Sequence, residues 1–344
     1  MGKLISIKNV EIGMVLDMEI IDQKSGAVLV PEGMALTKSL IDKLKGNRVS
    51  SLIIREEEVP EGIKNEDFTK EYSKMAESFD DVFEKAMQNG EIKTDQVMHQ
   101  MEGFVEEISK ESDILTQMRL MKKTDDYTFN HSLGVSILAL TLGKWLGYSQ
   151  EQIEELAIAG LFHDIGKLRI PMDIVKKPGK LTEEEFELMK KHSFYGYEML
   201  LRTNEFSNGI LLGVLQHHEK VDGTGYPNGV KADKIHDYGK ILAICDIYHA
   251  LTSNRVYKDK DSPLTVADYL KKESFVSLDP YMTQVFLKNI SKFYVGNKVL
   301  LSDGTTGLIV YIHPQDENRP IVQVGDKFID FMKEQKLKIL DILI

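Results

Sequence analysis

The sequence predicts a mainly α protein, a helical bundle with a small N-terminal α/β module before it and a small C-terminal β-barrel-like module after it. Two observations carry that reading. From residue 125 to about residue 294 apolar residues recur at helical spacing, and the stretch holds His131, His163, Asp164, His192, His217, His218 and Asp246. Five of the nine histidines fall in that set, which makes an internal site the natural focus of the helices. On either side, residues 5–56 and 295–344 break into short apolar runs separated by Gly, Pro, Asn and Asp, as strands and turns do. The resulting division is 1–60, 61–124, 125–294 and 295–344. With 344 residues, there is chain enough for such a division and for at least one sizeable core.

In the first module, Glu11-Ile-Gly-Met, Gln23-Lys-Ser-Gly and Pro31-Glu-Gly-Met read as turns, with Ala27–Val30 and Ser51–Ile54 as strands. Thr37 is an N-cap for a helix reaching Leu44. Nothing there forms a catalytic constellation, so the module reads as a docking or scaffold element, or as a regulatory input. Residues 55–65, with Pro60 and Gly62, form a charged connector. The segment 61–124 reads as helical linker or packing helices. Phe68, Tyr72, Met75, Phe79, Val82 and Phe83 share one face, and Val97, Met101, Phe104, Ile108 and Leu115 another, with Asn89-Gly90 between them. Such a stripe packs on the next domain or on a second copy of the chain, which leaves a homodimer open.

Within 125–294, Ser149 with Gln152 forms a capping box for a helix expected to end at Gly166, and Thr182 with Glu185 forms one for a helix expected to carry His192. Residues 206–219 read as a helix ending in His217-His218, and a further helix from His236 or Asp237 to Ser253 holds Asp246 in its middle. In the last module Gly296-Asn297 and Asp303-Gly304 are turns between strands 298–301, 307–312 and 320–324, expected to form a small open barrel. His313, beside Pro314, is expected to be exposed.

The net charge of -11 argues against a long nucleic-acid partner, although an anionic ligand remains compatible if positive charge is concentrated locally. Cys245, the single cysteine, lies in an apolar run and reads as a buried thiol in a reducing compartment, so a cytoplasmic location is expected. The first residues lack a signal-peptide pattern and no window approaches eighteen uninterrupted apolar residues, so no membrane association is expected.

His163 and Asp164 sit inside the apolar run 157–165, and Asp246 sits between Ile244 and Ile247. Burying such charges without partners would cost several kcal/mol, roughly, and bound metal would satisfy both. Neutral imidazoles with carboxylates and no thiolate suit iron, manganese or zinc in a hydrolytic pair. After His217-His218 comes Glu219-Lys-Val-Asp-Gly-Thr-Gly-Tyr-Pro-Asn-Gly229, an ordered loop in which Gly223 lets backbone approach a ligand and Tyr226 can stack on a base, or else an ordinary tight turn.

His163-Asp164 followed by His217-His218-Glu219 and Asp222-Gly-Thr-Gly-Tyr-Pro resembles the HD-GYP family of HD phosphohydrolases, over about residues 125–295. The resemblance implies a helical HD-type bundle, a centre of two or three divalent ions (iron or manganese), and cyclic di-GMP phosphodiesterase activity. It implies that His131, His163, Asp164 and Asp246 hold one ion, and that Asp164 bridges to a second held by His192, His217 and His218. A water or hydroxide bridging the ions would attack phosphorus. Lys167 would contact the scissile phosphate and assist the leaving oxygen, with Asp164 beside it. Gly223, Tyr226, Arg255 and Lys258 would complete the substrate site, with Tyr226 against guanine. Family members with three ions carry Glu four residues before the first His; Tyr127 stands there in this chain, and Asp126 is off that face, so two ions are expected. The expected reaction opens cyclic di-GMP to linear pGpG, with continuation to GMP left open. The alternatives are a catalytically weak or inactive sensor and interaction protein, or a phosphodiesterase for another cyclic dinucleotide.

Overall fold

The computed structural model describes residues 2–10, 14–21, 28–34, 36, 38–46, 49, 51–55, 74–75, 79, 82, 101, 105, 127–253 and 261–343. Contacts divide the chain into two compact units. One comprises Met1–Gly62, Ser262–Thr265 and Leu287–Ile344, and the other Ile63–Asp261 and Val266–Phe286.

In the first unit, β1 (Gly2–Ser6) pairs antiparallel with β4 (Ser51–Arg55), and β2 (Ile20–Ile21) with β3 (Val28–Val30). Helix α1 (Lys38–Gly46) presents Leu40, Ile41 and Leu44 at i, i+1 and i+4, one apolar stripe buried with Leu16, Val30, Leu52 and Ile54. The turn at Gln23–Gly26, most of that at Glu11–Met14, and the Thr37 cap lie outside the described residues. The C-terminal strands are β5 (Lys298–Leu301), β6 (Thr306–His313), β7 (Asp316–Val324), β8 (Lys327–Asp330) and β9 (Ile339–Leu343). They form one antiparallel sheet in the order β8-β7-β6-β5-β9. It is not a closed barrel: β8 and β9 are edges and do not pair with each other. His313 is also not the exposed side chain that its turn-like context predicts. It ends β6 half-buried, with Nε2 at 2.9 Å from Asp330 Oδ1 on β8.

The second unit is helical. Its described helices are α2 (Tyr127–Trp145), α3 (Gln150–Phe162), α4 (Met172–Val175), α5 (Glu183–Met189), α6 (His192–Leu201), α7 (Asn208–Gln216), α8 (Asp237–Thr252), α9 (Pro263–Glu273) and α10 (Pro280–Ile290); the first three residues of α9 and the last residues of α10 belong to the other unit. Helix α2 is apolar around its whole circumference, and accordingly it is the centre of the bundle: Leu133, Val135, Ile137, Leu138, Leu140 and Leu142 are fully buried. Helix α3 packs along it, and the Ser136 hydroxyl donates to the Ala157 carbonyl at 2.7 Å. Of the aromatic and methionine stripe expected before residue 125, Met75, Phe79, Val82 and Met101 are helical and buried, and Phe79 stacks at 5.3 Å on Phe129 and 6.1 Å on Phe162. The remainder of that stripe is outside the described residues.

Both capping boxes form, at Ser149 with Gln152 and at Thr182 with Glu185. The helices they start are shorter than the apolar pattern suggests. Helix α3 stops at Phe162, and a 3-10 turn over Ile165–Arg169 follows. Helix α5 stops at Met189, so His192 does not lie on it and instead opens α6. Helix α7 starts at Asn208 behind the Ser207 cap and stops at Gln216, before the two histidines. These early stops matter chemically, because they leave the last carbonyls of each helix without intrahelical donors.

Candidate metal centre

Three histidines occupy those helix ends, and each uses its free carbonyl in the same way. The Nδ1 of His163 is 2.7 Å from Gly160 O, that of His192 is 2.7 Å from Met189 O, and that of His217 is 2.7 Å from Val214 O. A carbonyl only accepts, so each Nδ1 carries the proton and each Nε2 is left as a lone-pair donor aimed elsewhere. All three rings are buried. The Nε2 atoms converge on Asp164, the N-cap of the 3-10 turn: His163 Nε2 is 3.4 Å from Oδ2, and His192 Nε2 is 3.3 Å from Oδ1 and 3.2 Å from His217 Nε2. His131, on α2, brings its Nε2 to 3.8 Å from Asp164 Oδ2 and 3.1 Å from Asp246 Oδ1 on α8.

Ligand-type atoms therefore gather in two groups that share one carboxylate. His131, His163 and Asp164 form one, and Asp164, His192, His217 and His218 the other, with the atoms of each within 4.8 Å of one another. The donor set fits divalent metal on a further count: His163 Nε2 is buried without a hydrogen-bond partner, an arrangement that is costly unless something binds the lone pair. Backbone contact makes the convergence possible. A β-carbon at Gly166 would stand 1.9 Å from His192 O and 2.4 Å from Gly196 N, so α6 lies directly against the turn that carries Asp164.

The electrostatics favour neutral imidazoles beside ionised carboxylates. Burial first, and then the neighbouring histidines, lowers His217 well below the usual range. Burial likewise brings His192 to about 4 and the partly exposed His218 to about 3. Burial also dominates at His131, whose pKa is lowered although Asp246 opposes it. His163 goes the other way: burial pulls its pKa down, but the Asp164 carboxylate outweighs it and the net effect is a rise. Burial works against both carboxylates and is overcome, at Asp164 by Lys167 and His163 and at Asp246 by His131, so both are held well below the usual range. Lys167 donates to Asp164 Oδ2 and keeps about a third of its side chain exposed.

The loop after α7 is tied back to its own root. Glu219 is buried, and its two oxygens accept from the backbone of Asn228 at 2.7 Å and of Val230 at 3.1 Å. Gln216 spans to the next segment, donating to Lys234 O and accepting from His236 N. Gly223 takes φ +86°, a conformation natural to glycine, after the Asp222 side chain accepts from Thr224 N at 2.9 Å. Tyr226 lies over His218 with ring centroids 4.6 Å apart. Burial and the two site carboxylates raise the pKa of its phenol, so it stays a neutral donor. Arg255 and Lys258 lie outside the described residues, and so does the side chain of Tyr127, whose backbone opens α2.

Two residues gain a place at the site only in the folded chain: His249, against His131, and Glu219, as the anchor of the loop. His249 follows Asp246 by one helical turn and meets the site from the same face; Glu219 was visible only as part of the motif.

The second unit is thus a helical bundle that gathers buried imidazoles around a shared carboxylate at its helix ends. The HD domain family matches residues 107–282, just over half of the chain, and the chain belongs to that family. Over 227 residues it is 35% identical to a cyclic di-GMP phosphodiesterase of Pseudomonas aeruginosa, covering 64% of this chain and 54% of that protein. Over 173 residues it is 36% identical to a 3'3'-cGAMP-specific phosphodiesterase of Vibrio cholerae, covering 49% and 39% respectively. An HDG"Y"P protein from Bdellovibrio bacteriovorus shares the fold, with a TM-score of 0.55 at 15% identity over 83% of this chain and 98% of that one. The chain spans about half the length of the curated relatives it matches, at 54%, 41% and 50% for three of them. Among the described residues no helix is long and apolar enough to cross a membrane.

Proposed function

We propose that the protein is a metal-dependent phosphodiesterase that opens cyclic di-GMP to linear pGpG; the product assay below decides whether a second cleavage to GMP follows. The observation that carries this reading is the pair of ligand groups sharing Asp164, with three Nε2 atoms turned inward by carbonyl-bound Nδ1 protons. His131, His163, Asp164 and Asp246 would hold one divalent ion, and Asp164, His192, His217 and His218 the second, iron or manganese suiting this oxygen and nitrogen set. When bound, two such ions polarise phosphoryl oxygens and make water acidic enough to serve as a nucleophile near neutral pH.

The chain's own groups do the rest. Lys167 is held beside the shared carboxylate with its ammonium partly exposed, where it can take up negative charge developing on a phosphate and deliver a proton to the leaving oxygen. Tyr226, anchored through Glu219 and backed by His218, offers a neutral phenol and a ring face to a purine, with Gly223 in the same loop. Arg255 and Lys258 would add phosphate contacts. A two-ion centre rests on Tyr127 at the position where a third-ion carboxylate would otherwise stand.

The deciding experiment is metal content of anaerobically purified protein joined to a product assay with cyclic di-GMP and 3'3'-cGAMP. About two ions per chain with pGpG or GMP formed, and both lost in His163→Ala with Asp164→Ala, is the expected result. Metal-loaded protein that binds cyclic di-GMP without product supports a sensor instead. Turnover of 3'3'-cGAMP in preference moves the substrate to that dinucleotide, as for the Vibrio cholerae relative.

A further inference from the structure

We infer that His249 is a positioning residue of the metal centre: it accepts a hydrogen bond from His131 Nδ1 and thereby fixes the tautomer in which His131 Nε2 faces Asp164 and Asp246. This rests on the metal reading given above. A histidine that binds metal through Nε2 must keep its proton on Nδ1, and that proton needs an acceptor. His163, His192 and His217 find one in carbonyls released at helix ends. His131 instead lies inside the continuous helix α2, where the preceding carbonyls serve the helix itself. There an imidazole faces its Nδ1: His131 Nδ1 and His249 Nδ1 are 3.0 Å apart, with ring centroids at 5.1 Å.

The protons can be placed consistently. If His131 donates from Nδ1, His249 accepts on Nδ1 and carries its own proton on Nε2. Ser253, the residue that caps α8, has its Oγ 3.3 Å from that Nε2 and 3.5 Å from Nδ1, and can accept the Nε2 proton. The chain thus runs from the candidate ligand through His249 to a hydroxyl, with both rings buried. A second observation is independent of the hydrogen bond. Gly134, one turn beyond His131 on α2, has no β-carbon where one would stand 2.1 Å from His249 Nε2 and 2.3 Å from its Cδ2. The bundle keeps a notch in its central helix, and the His249 ring fills it.

The test is manganese affinity of the full chain, stripped of metal and retitrated, in wild type, His249→Leu, His249→Asn and Gly134→Ala. Asparagine keeps an acceptor at the position of the histidine Nδ1, whereas leucine fills the space without one. His249→Leu is expected to weaken binding of one ion about 10- to 100-fold. His249→Asn should recover most of that loss. Gly134→Ala, which drives a methyl group into the ring, should weaken binding as well. Cooperative thermal melts of the stripped proteins, with midpoints above the titration temperature, keep the comparison to folded chains. Wild-type affinity in His249→Leu, or equal loss in the leucine and asparagine variants, overturns the assignment while leaving the metal centre intact. Wild-type protein that takes up no manganese overturns both.

Discussion

Replacing Glu219 separates the loop from the metal site. Its carboxylate makes two hydrogen bonds to backbone donors, at 2.7 Å to Asn228 N and 3.1 Å to Val230 N, and closes the segment that carries Tyr226. Hydrogen bonds to a charged group contribute roughly 1.5–3 kcal/mol each, so the pair has a ceiling of about 3–6 kcal/mol. Asn228 is exposed and Val230 half-exposed, so water can satisfy both donors once the carboxylate is gone. A loss of about 2–3 kcal/mol is therefore expected in Glu219→Ala, which lowers the melting temperature of the helical unit by roughly 4–12 °C. Glu219→Gln keeps one acceptor and turns an amide N–H toward the other donor, so its loss should fall between wild type and alanine. The assay is thermal unfolding beside metal content and steady-state kinetics on cyclic di-GMP. Metal content should stay at the wild-type value while KM rises, because the loop is anchored by Glu219 and the candidate ligands are not. An alanine variant that melts and binds substrate like wild type would refute the anchoring role, and loss of metal would show that the loop and the centre are one cooperative element.

Gly166→Ala should be severe for its size: the new methyl meets backbone atoms of His192 and Gly196, and the loss of roughly 1–3 kcal/mol or more should appear both in thermal melts and as impaired metal uptake through the displaced His192. In metal-free protein, His192 titrates at about 4 in the folded state against about 6.5 unfolded, because burial disfavours its charged form. The unfolded chain therefore binds more protons between those values. This contribution is fully present above about pH 6.5 and is lost as pH falls toward 4. It amounts to roughly 3 kcal/mol for His192 over the whole window and about 2 kcal/mol by pH 5, with His217 and His218 acting in the same sense and His163, whose pKa is raised, in the opposite one, and urea midpoints measured from pH 7.5 to 5 should fall accordingly. Midpoints independent of pH over that range would contradict the buried, neutral state of these rings. Tyr226→Ala should weaken cyclic di-GMP binding about 5- to 150-fold, the equivalent of about 1–3 kcal/mol of base stacking, while Tyr226→Phe stays close to wild type; equal losses would assign the effect to the hydroxyl instead.

Features set by neighbouring residues could be read directly from the sequence. Ser149 with Gln152 and Thr182 with Glu185 cap their helices because a capping box needs only three residues of spacing. The HD and HHE motifs announced a candidate metal centre because apolar context makes a buried, unpaired His or Asp costly wherever the chain goes. What the tertiary structure alone decided depends on partners distant in sequence. Helices α3, α5 and α7 stop before their apolar patterns do, and only those stops free the carbonyls that orient His163, His192 and His217. The final strands lie as an open sheet because edge pairing depends on register between strands, which alternation along one strand does not specify. The first and last segments fall in a single compact unit, an association that no local pattern encodes. His249 meets His131 across 118 residues, in a notch left by Gly134. Local chemistry marks which side chains can serve a site, and long-range packing determines where each of their nitrogens points.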